Sequence, residues 1–209
     1  MYPDALAEYV KHWVLDRAHP LPLALRVYPG PPGSLAYAVT RAVLARVALE
    51  GLEVRGTGGE EAALPTVWVA DGGEEDGAAQ REVAGLTAVA RYLGRLWRLY
   101  PCNPASALHV DASLDLLARF AHAAAEADTP AALCAHVAAY ASLLEARQED
   151  AGHVWLEGMD KCSLADVCWA GVFAWARSVE AWDLFDAAAL PNLAAWWEAV
   201  CATREEEEE

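Results

Sequence analysis

Positive charge is scarce in this chain of 209 residues, in which 15 Lys and Arg stand against 31 Asp and Glu, for a formal net charge of −16. Five negative charges form the terminal run Glu205–Glu209, and removing those five from −16 leaves −11 for the rest. Phosphate backbones repel a chain of this charge. We therefore expect no direct nucleic-acid binding, and we expect residues 204–209 to be a solvated acidic tail or the start of a charged linker.

Long apolar runs are also missing, since no stretch approaches the roughly 18 uninterrupted apolar residues of a membrane span. Residues 1–20 lack the basic start and apolar core of a secretory signal. The five cysteines are odd in number and favour reduced thiols over a disulfide framework. With an apolar fraction of 56% and nine Trp, the composition predicts a packed, soluble, cytoplasmic protein without a membrane partner.

Short sequence motifs typical of phosphate binding, metal binding or thiol redox chemistry are absent as well. The loop Pro29–Gly33 separates a strand from a helix, but it contains neither G-K-[ST] nor G-x-G-x-x-G, and its three prolines lack N–H donors for a phosphate. The six histidines show no metal-ligand spacing, and no Cys-x-x-Cys motif exists for redox chemistry. The sequence therefore predicts no metal site and no phosphate-binding loop.

Apolar periodicity divides the chain into a mixed first half and a helical second half. Residues 1–22 predict a helical extension, and 23–98 predict a compact α/β domain. The expected strands of this domain are 23–28, 52–55, 66–70 and 81–83, and the expected helices are 34–50 and 86–98. The turn-forming segment 99–104 predicts a linker to an all-helical domain at 105–203. Its expected helices are 105–126, 129–148, one beginning at Ser163, a short piece at 179–189 and 191–202.

The helix that begins at Ser163 carries a capping box, because Asp166 stands three residues further on at the head of an apolar run. Ser163 can accept from a backbone N–H near Asp166, and Asp166 can accept from the Ser163 N–H. The apolar and aromatic residues that follow predict a helix buried nearly all round.

Four short motifs occur in a fixed order over about residues 23–203. They are Leu64-Pro65-Thr66-Val67, the helical segment Thr87–Leu93, Trp155-Leu156-x-Gly158 followed by Ser163-Leu164-Ala165-Asp166, and Pro191-Asn192-Leu193-x-x-Trp196. Together they resemble the glutathione transferase family. The resemblance implies an α/β thioredoxin-like N-terminal domain followed by an all-α C-terminal domain.

The resemblance also implies a glutathione site around Pro65, Thr66, Gly85, Leu86 and Thr87, in which the peptide bond before Pro65 is cis. In the family, a Glu-Ser or Asp-Ser pair holds the glutamyl end of glutathione. Gly85 and Leu86 occupy those two positions here, and neither side chain can form a hydrogen bond. We therefore expect a degenerate site with no cofactor.

Two hydroxyls, those of Tyr28 and Ser34, lie near the position of the family's activating group. They are the candidate catalytic residues of the alternative hypothesis, in which the chain is a glutathione transferase that binds glutathione by altered contacts. A third hypothesis, a sensor or stress protein with an apolar ligand in the interdomain cleft, also remains open.

The degenerate site is similar to those of the transferase-like modules of the methionyl- and glutamyl-prolyl-tRNA synthetases, their scaffold proteins and elongation factor one B gamma. That likeness implies a non-catalytic docking module of a translation-associated complex, which pairs with other modules of this fold as a homodimer or heterodimer. Such modules pair through the helices of the first domain and through the seventh helix and its loop.

Five residues are the candidates for that interface. Adjacent Trp196 and Trp197 cannot both face inward on one helix, and an exposed Trp has the chemistry of a binding hot spot. The other candidates are Trp182 and, on the helix after Gly85, Arg91 and Arg95 at near-helical spacing.

Overall fold

The computed structural model describes residues 25–46, 53–54, 64–70, 80–96, 99–181 and 189–205. Several expectations lie outside these ranges: the helical extension 1–22, the segment 55–63, Trp182 and the end of the acidic tail.

A four-stranded sheet forms the first half of the structure. Its strands are β1 (Leu25–Tyr28), β2 (Glu53–Val54), β3 (Thr66–Ala70) and β4 (Gln80–Ala84), in the order β2-β1-β3-β4. Strands β1 and β2 are parallel, whereas β3 runs antiparallel to both β1 and β4. All four strands confirm the sequence-based prediction.

Two helices accompany the sheet, namely α1 (Leu35–Ala45) and α2 (Leu86–Leu96). Ser34 caps α1 as predicted, since its side chain accepts from the Tyr37 N–H at 3.1 Å. Helix α1 ends at Ala45 rather than near Glu50, and residues 47–50 lie outside the described part.

The second half is helical, as predicted. It contains α3 (Pro104–Glu126), α4 (Pro130–Ala151), a 3-10 turn (Leu156–Gly158), α5 (Leu164–Ser178) and α6 (Pro191–Glu205). Asn103 and Thr129 cap α3 and α4, each followed by a proline in the first turn, where proline is tolerated. No helix in the described ranges is long and apolar enough to cross a membrane.

Helix α5 is the buried centre of the molecule, and its N-terminus carries the predicted capping box of Ser163 and Asp166. Two glycines let neighbouring helices approach it closely. A Cβ on Gly171 of α5 would lie 2.7 Å from the Val39 Cα of α1, and a Cβ on Gly94 of α2 would lie 2.6 Å from a Leu164 methyl group. Helix α5 therefore packs directly on both helices of the first half.

Further contacts fix the two halves to each other. The Leu164 N–H donates to the Leu99 carbonyl at 2.7 Å, so the segment between α2 and α3 is anchored at the start of α5. The guanidinium of Arg46, which follows α1, donates to the Val200 carbonyl of α6 at 3.2 Å. These contacts thus hold the first half at two helices of the second half, α5 and α6.

Candidate functional site

Three strand ends meet at one end of the sheet and bring the predicted site residues together. Tyr28 ends β1 and pairs with Thr66, which begins β3 and pairs with Ala84 at the end of β4. The Gly85 N–H then donates to the Pro65 carbonyl at 2.9 Å. Pro65, Thr66, Gly85, Leu86 and Thr87 therefore form one neighbourhood.

The expectation of a cis peptide before Pro65 is wrong. No peptide bond in the described residues is cis, and the Leu64–Pro65 bond is among them. The trans form is the lower-energy isomer of an X-Pro bond. The Thr66 hydroxyl donates to the Leu64 carbonyl at 3.2 Å. The carbonyls of Leu64 and of Pro65 therefore both accept from donors within the chain, the second from the Gly85 N–H.

The Gly85 and Leu86 positions offer no polar side chain. Gly85 has φ of +102°, in the region that favours glycine, and an added Cβ would meet nothing within 4 Å. Leu86 begins α2 and is half-buried against the core. These two positions therefore present a bare backbone turn followed by an apolar side chain.

The two candidate hydroxyls are less accessible than the sequence suggested. Tyr28 is buried at the end of β1. Ser34 is half-buried, and its oxygen already accepts from the Tyr37 N–H at the start of α1. Ser34 retains an O–H that can still donate, so it is the better placed of the two for the alternative catalytic hypothesis.

The loop Pro29–Gly33 lies between these two residues. It contains two glycines with positive φ, Gly30 at +101° and Gly33 at +79°. Trp175, on the last turn of α5, donates its indole N–H to the Gly33 carbonyl at 3.1 Å. Sequence reasoning missed this contact because 142 residues separate the partners.

Arg91 is bound within the molecule rather than presented to a partner. Its guanidinium donates to Asp111 at 2.7 Å and to Asp115 at 3.0 Å, both on α3. Partial burial acts to raise the pKa of Asp111, but hydrogen bonds from Tyr100 and Arg91 outweigh it and leave the pKa below its usual value. Arg95 is exposed, with its guanidinium carbon 4.9 Å from the centre of the Tyr100 ring.

The two adjacent tryptophans of α6 divide as the helical geometry requires. Trp196 is 0% exposed, so its assignment to an interface is wrong; its indole N–H donates to the Asp166 carboxylate at 2.8 Å. Trp197 is half-buried, with its ring centre 6.1 Å from that of Trp196. Trp182 lies outside the described residues.

The described ranges contain no group of three or more His, Cys, Asp or Glu residues able to hold a metal ion. Cys168 is fully buried in α5, and burial raises the pKa of its thiol far above the usual value.

Comparison with known proteins gives the same architecture. Residues 109–203 match the family model described as "Glutathione S-transferase, C-terminal domain". No curated relative matches the chain by sequence.

Several solved structures superpose on most of the chain. Prostaglandin synthase D of Nilaparvata lugens matches with a TM-score of 0.62 and 17% identity, over 85% of this chain and 92% of that one. Maleylacetoacetate isomerase from Anaeromyxobacter dehalogenans 2CP-1, with bound GSH, gives 0.62 and 16%, over 84% and 89%. Ure2p in complex with glutathione gives 0.55 and 11%, over 90% and 93%. At these identities the likeness establishes the fold alone, which is the glutathione S-transferase fold.

Proposed function

We propose that this chain, which has the glutathione S-transferase fold, is a non-catalytic docking module of a translation-associated complex such as a multi-aminoacyl-tRNA synthetase assembly. The observation that carries the proposal is the pair Gly85 and Leu86 at the head of α2. An ammonium and a carboxylate need charged or hydrogen-bonding partners when they leave water, and the side chains of this pair supply neither.

The backbone around Pro65 supports the same proposal. The Leu64 carbonyl accepts from the Thr66 hydroxyl, and the Pro65 carbonyl accepts from the Gly85 N–H. Each of these carbonyls thus already has one internal donor, before any thiol peptide binds. We therefore assign no cofactor to the site.

A docking role requires surface that can bind a partner, and helices α2 and α3 offer one. Leu108 on α3 is 69% exposed and lies on the helix face that also carries Asp111 and Asp115, the partners of Arg91 on α2. Arg95 is exposed one turn further along α2. An exposed leucine beside charged residues can contribute to a polar-rimmed interface. We assign this α2–α3 surface, defined by Arg95 and Leu108, to pairing with another module of the same fold, and half-buried Trp197 to a second contact.

Sedimentation velocity tests the docking role. The chain is run alone and mixed with recombinant transferase-like modules of the methionyl- and glutamyl-prolyl-tRNA synthetases and of elongation factor one B gamma. We expect a dimer or a heterodimer at micromolar concentration. Leu108→Glu or Arg95→Glu should weaken it by about tenfold or more if these residues are interface anchors.

The matched control is Leu143→Glu, which introduces the same charge at an exposed leucine of α4. We expect this variant to associate like the wild type. A chain that stays monomeric with every module, or that loses association equally in all three variants, would contradict the docking role of the α2–α3 surface.

The alternative is a glutathione transferase with an altered site. One observation favours keeping it: Ser34 stands beside the loop after β1 and retains an O–H able to donate to a thiolate. Under this alternative, Ser34→Ala abolishes conjugation of glutathione to an electrophile, whereas the docking proposal requires no such activity in the wild type.

A further inference from the structure

Trp175 connects the two halves of the molecule at the Pro29–Gly33 loop. Its indole Nε1 donates to the Gly33 carbonyl at 3.1 Å, and its ring meets the buried Phe120 edge-on, with centroids 6.3 Å apart. Phe120 belongs to α3 and Trp175 to α5, so the donor is held by the helical half while the acceptor belongs to the first half.

The loop is a stiff element with one exposed side. Proline fixes φ at three of its five positions, and the Ser34 N–H closes a turn onto the Pro31 carbonyl at 3.1 Å. Pro29 and Gly30 are buried, whereas Pro31, Pro32 and Gly33 are exposed. Burial therefore does little to hold the outer side of the loop in place. The hydrogen bond from the Trp175 indole to the Gly33 carbonyl contributes to fixing its position.

The end of the loop is also the start of α1. Ser34 caps that helix through the Tyr37 N–H, and the Ala38 N–H donates to the Ser34 carbonyl at 3.1 Å. A displacement of Gly33 is therefore transmitted directly to the first turn of α1.

We propose that Trp175 is an interdomain latch, which fixes the loop Pro29–Gly33 and the first turn of α1 to the helical half. Release of the indole from Gly33 frees the loop and frays the cap at Ser34, while α5 stays folded. The latch depends neither on the docking role nor on the state of the glutathione site.

Amide hydrogen exchange followed by NMR tests the latch. Trp175→Phe keeps an aromatic ring against Phe120 but removes the N–H donor together with part of the indole ring. We expect the amides of Ser34, Tyr37 and Ala38 to exchange about fivefold faster, as the loss of one hydrogen bond of ordinary net strength would give. The amides of Val167 and Gly85, which donate within α5 and to Pro65, should exchange as in the wild type.

The control is Ser178→Ala, which removes an exposed hydrogen bond to the Trp175 carbonyl on the same turn without touching the loop. This variant should leave exchange at Ser34 and Tyr37 unchanged. Unchanged exchange in Trp175→Phe would overturn the latch. Equal acceleration at Ser34 and Val167 would also overturn it, because the contact would then be only part of α5 packing.

Discussion

Asp166 is the residue on which most of the helical half depends. Its carboxylate is fully buried and accepts four hydrogen bonds, all between 2.7 and 2.8 Å. The donors are the Leu156 N–H, the Ser163 N–H and hydroxyl, and the Trp196 indole. One side chain thus joins the 3-10 turn, the start of α5 and the middle of α6.

Replacing Asp166 with Ala should therefore cost more than an ordinary cap. Loss of an exposed N-cap costs about 1 kcal/mol, whereas this change leaves buried donors unsatisfied and should lower the free energy of unfolding by about 3 kcal/mol. Urea denaturation measures the difference. Thr129→Ala, which removes the exposed cap of α4, is the matched control, and equal losses in the two variants would contradict the central role of Asp166.

The titration of Asp166 gives a pH-dependent prediction. Burial raises its pKa above the usual 3.8, and the hydrogen bonds from Leu156, Ser163 and Trp196 oppose that rise without cancelling it. The unfolded state then loses the proton first as pH rises. The stability contributed by this group is fully present below the unfolded pKa and is lost as pH rises through the folded pKa.

Asp166→Asn removes that titration while keeping the shape of the side chain. We expect the wild type to lose unfolding free energy relative to this variant from about pH 4 upward, and the difference to level off above the folded pKa. Urea midpoints across that range measure it. A difference that is constant with pH would contradict a raised pKa.

Thiol labelling separates the cysteines by their burial. Cys201 is exposed, whereas Cys168 is fully buried with a raised pKa. We expect iodoacetamide to modify Cys201 in the native protein within minutes and Cys168 only after unfolding, as mass spectrometry of peptides would show. Native modification of Cys168 at a comparable rate would contradict its burial in α5.

At the scale of elements, local sequence patterns indicate where most helices begin. Ser34, Asn103, Thr129 and Ser163 each precede a helix that they cap, since a cap and its target N–H lie within three residues. Helix ends were less accurate: α6 runs to Glu205 rather than to about 202. The closest helix approaches were not visible in the sequence, because each brings a glycine against a residue far along the chain.

The two glycine contacts of α5 should respond differently to an added methyl group. In Gly171→Ala the Cβ meets the Val39 backbone at 2.7 Å, so α1 and α5 must separate at a cost of about 2 kcal/mol. In Gly94→Ala it meets side-chain atoms of Leu164, which can shift more easily than backbone, and the gain in helix propensity offsets part of the cost. Thermal denaturation compares them, and a larger loss for Gly94→Ala would contradict this account of the packing.

At the scale of the whole molecule, the sequence predicted the fold, because ordered motifs reflect the order of elements. It did not predict the trans peptide before Pro65 or the burial of Trp196, which depend on contacts between distant residues. Trp197 and the α2–α3 surface remain predictions about binding. The absence of polar side chains at Gly85 and Leu86 was readable from the sequence, and the structure gives it a location at the head of α2.

Calorimetric titration with glutathione tests the central claim most directly, because the claim rests on the proposal that this site does not hold the glutamyl end of that ligand. The wild-type chain is titrated with glutathione, and the same sample is assayed for conjugation to an electrophile. We predict no saturable heat below about millimolar glutathione and no conjugation. Saturation in that range together with conjugation would contradict the non-catalytic role and favour the alternative enzyme with Ser34 at its site.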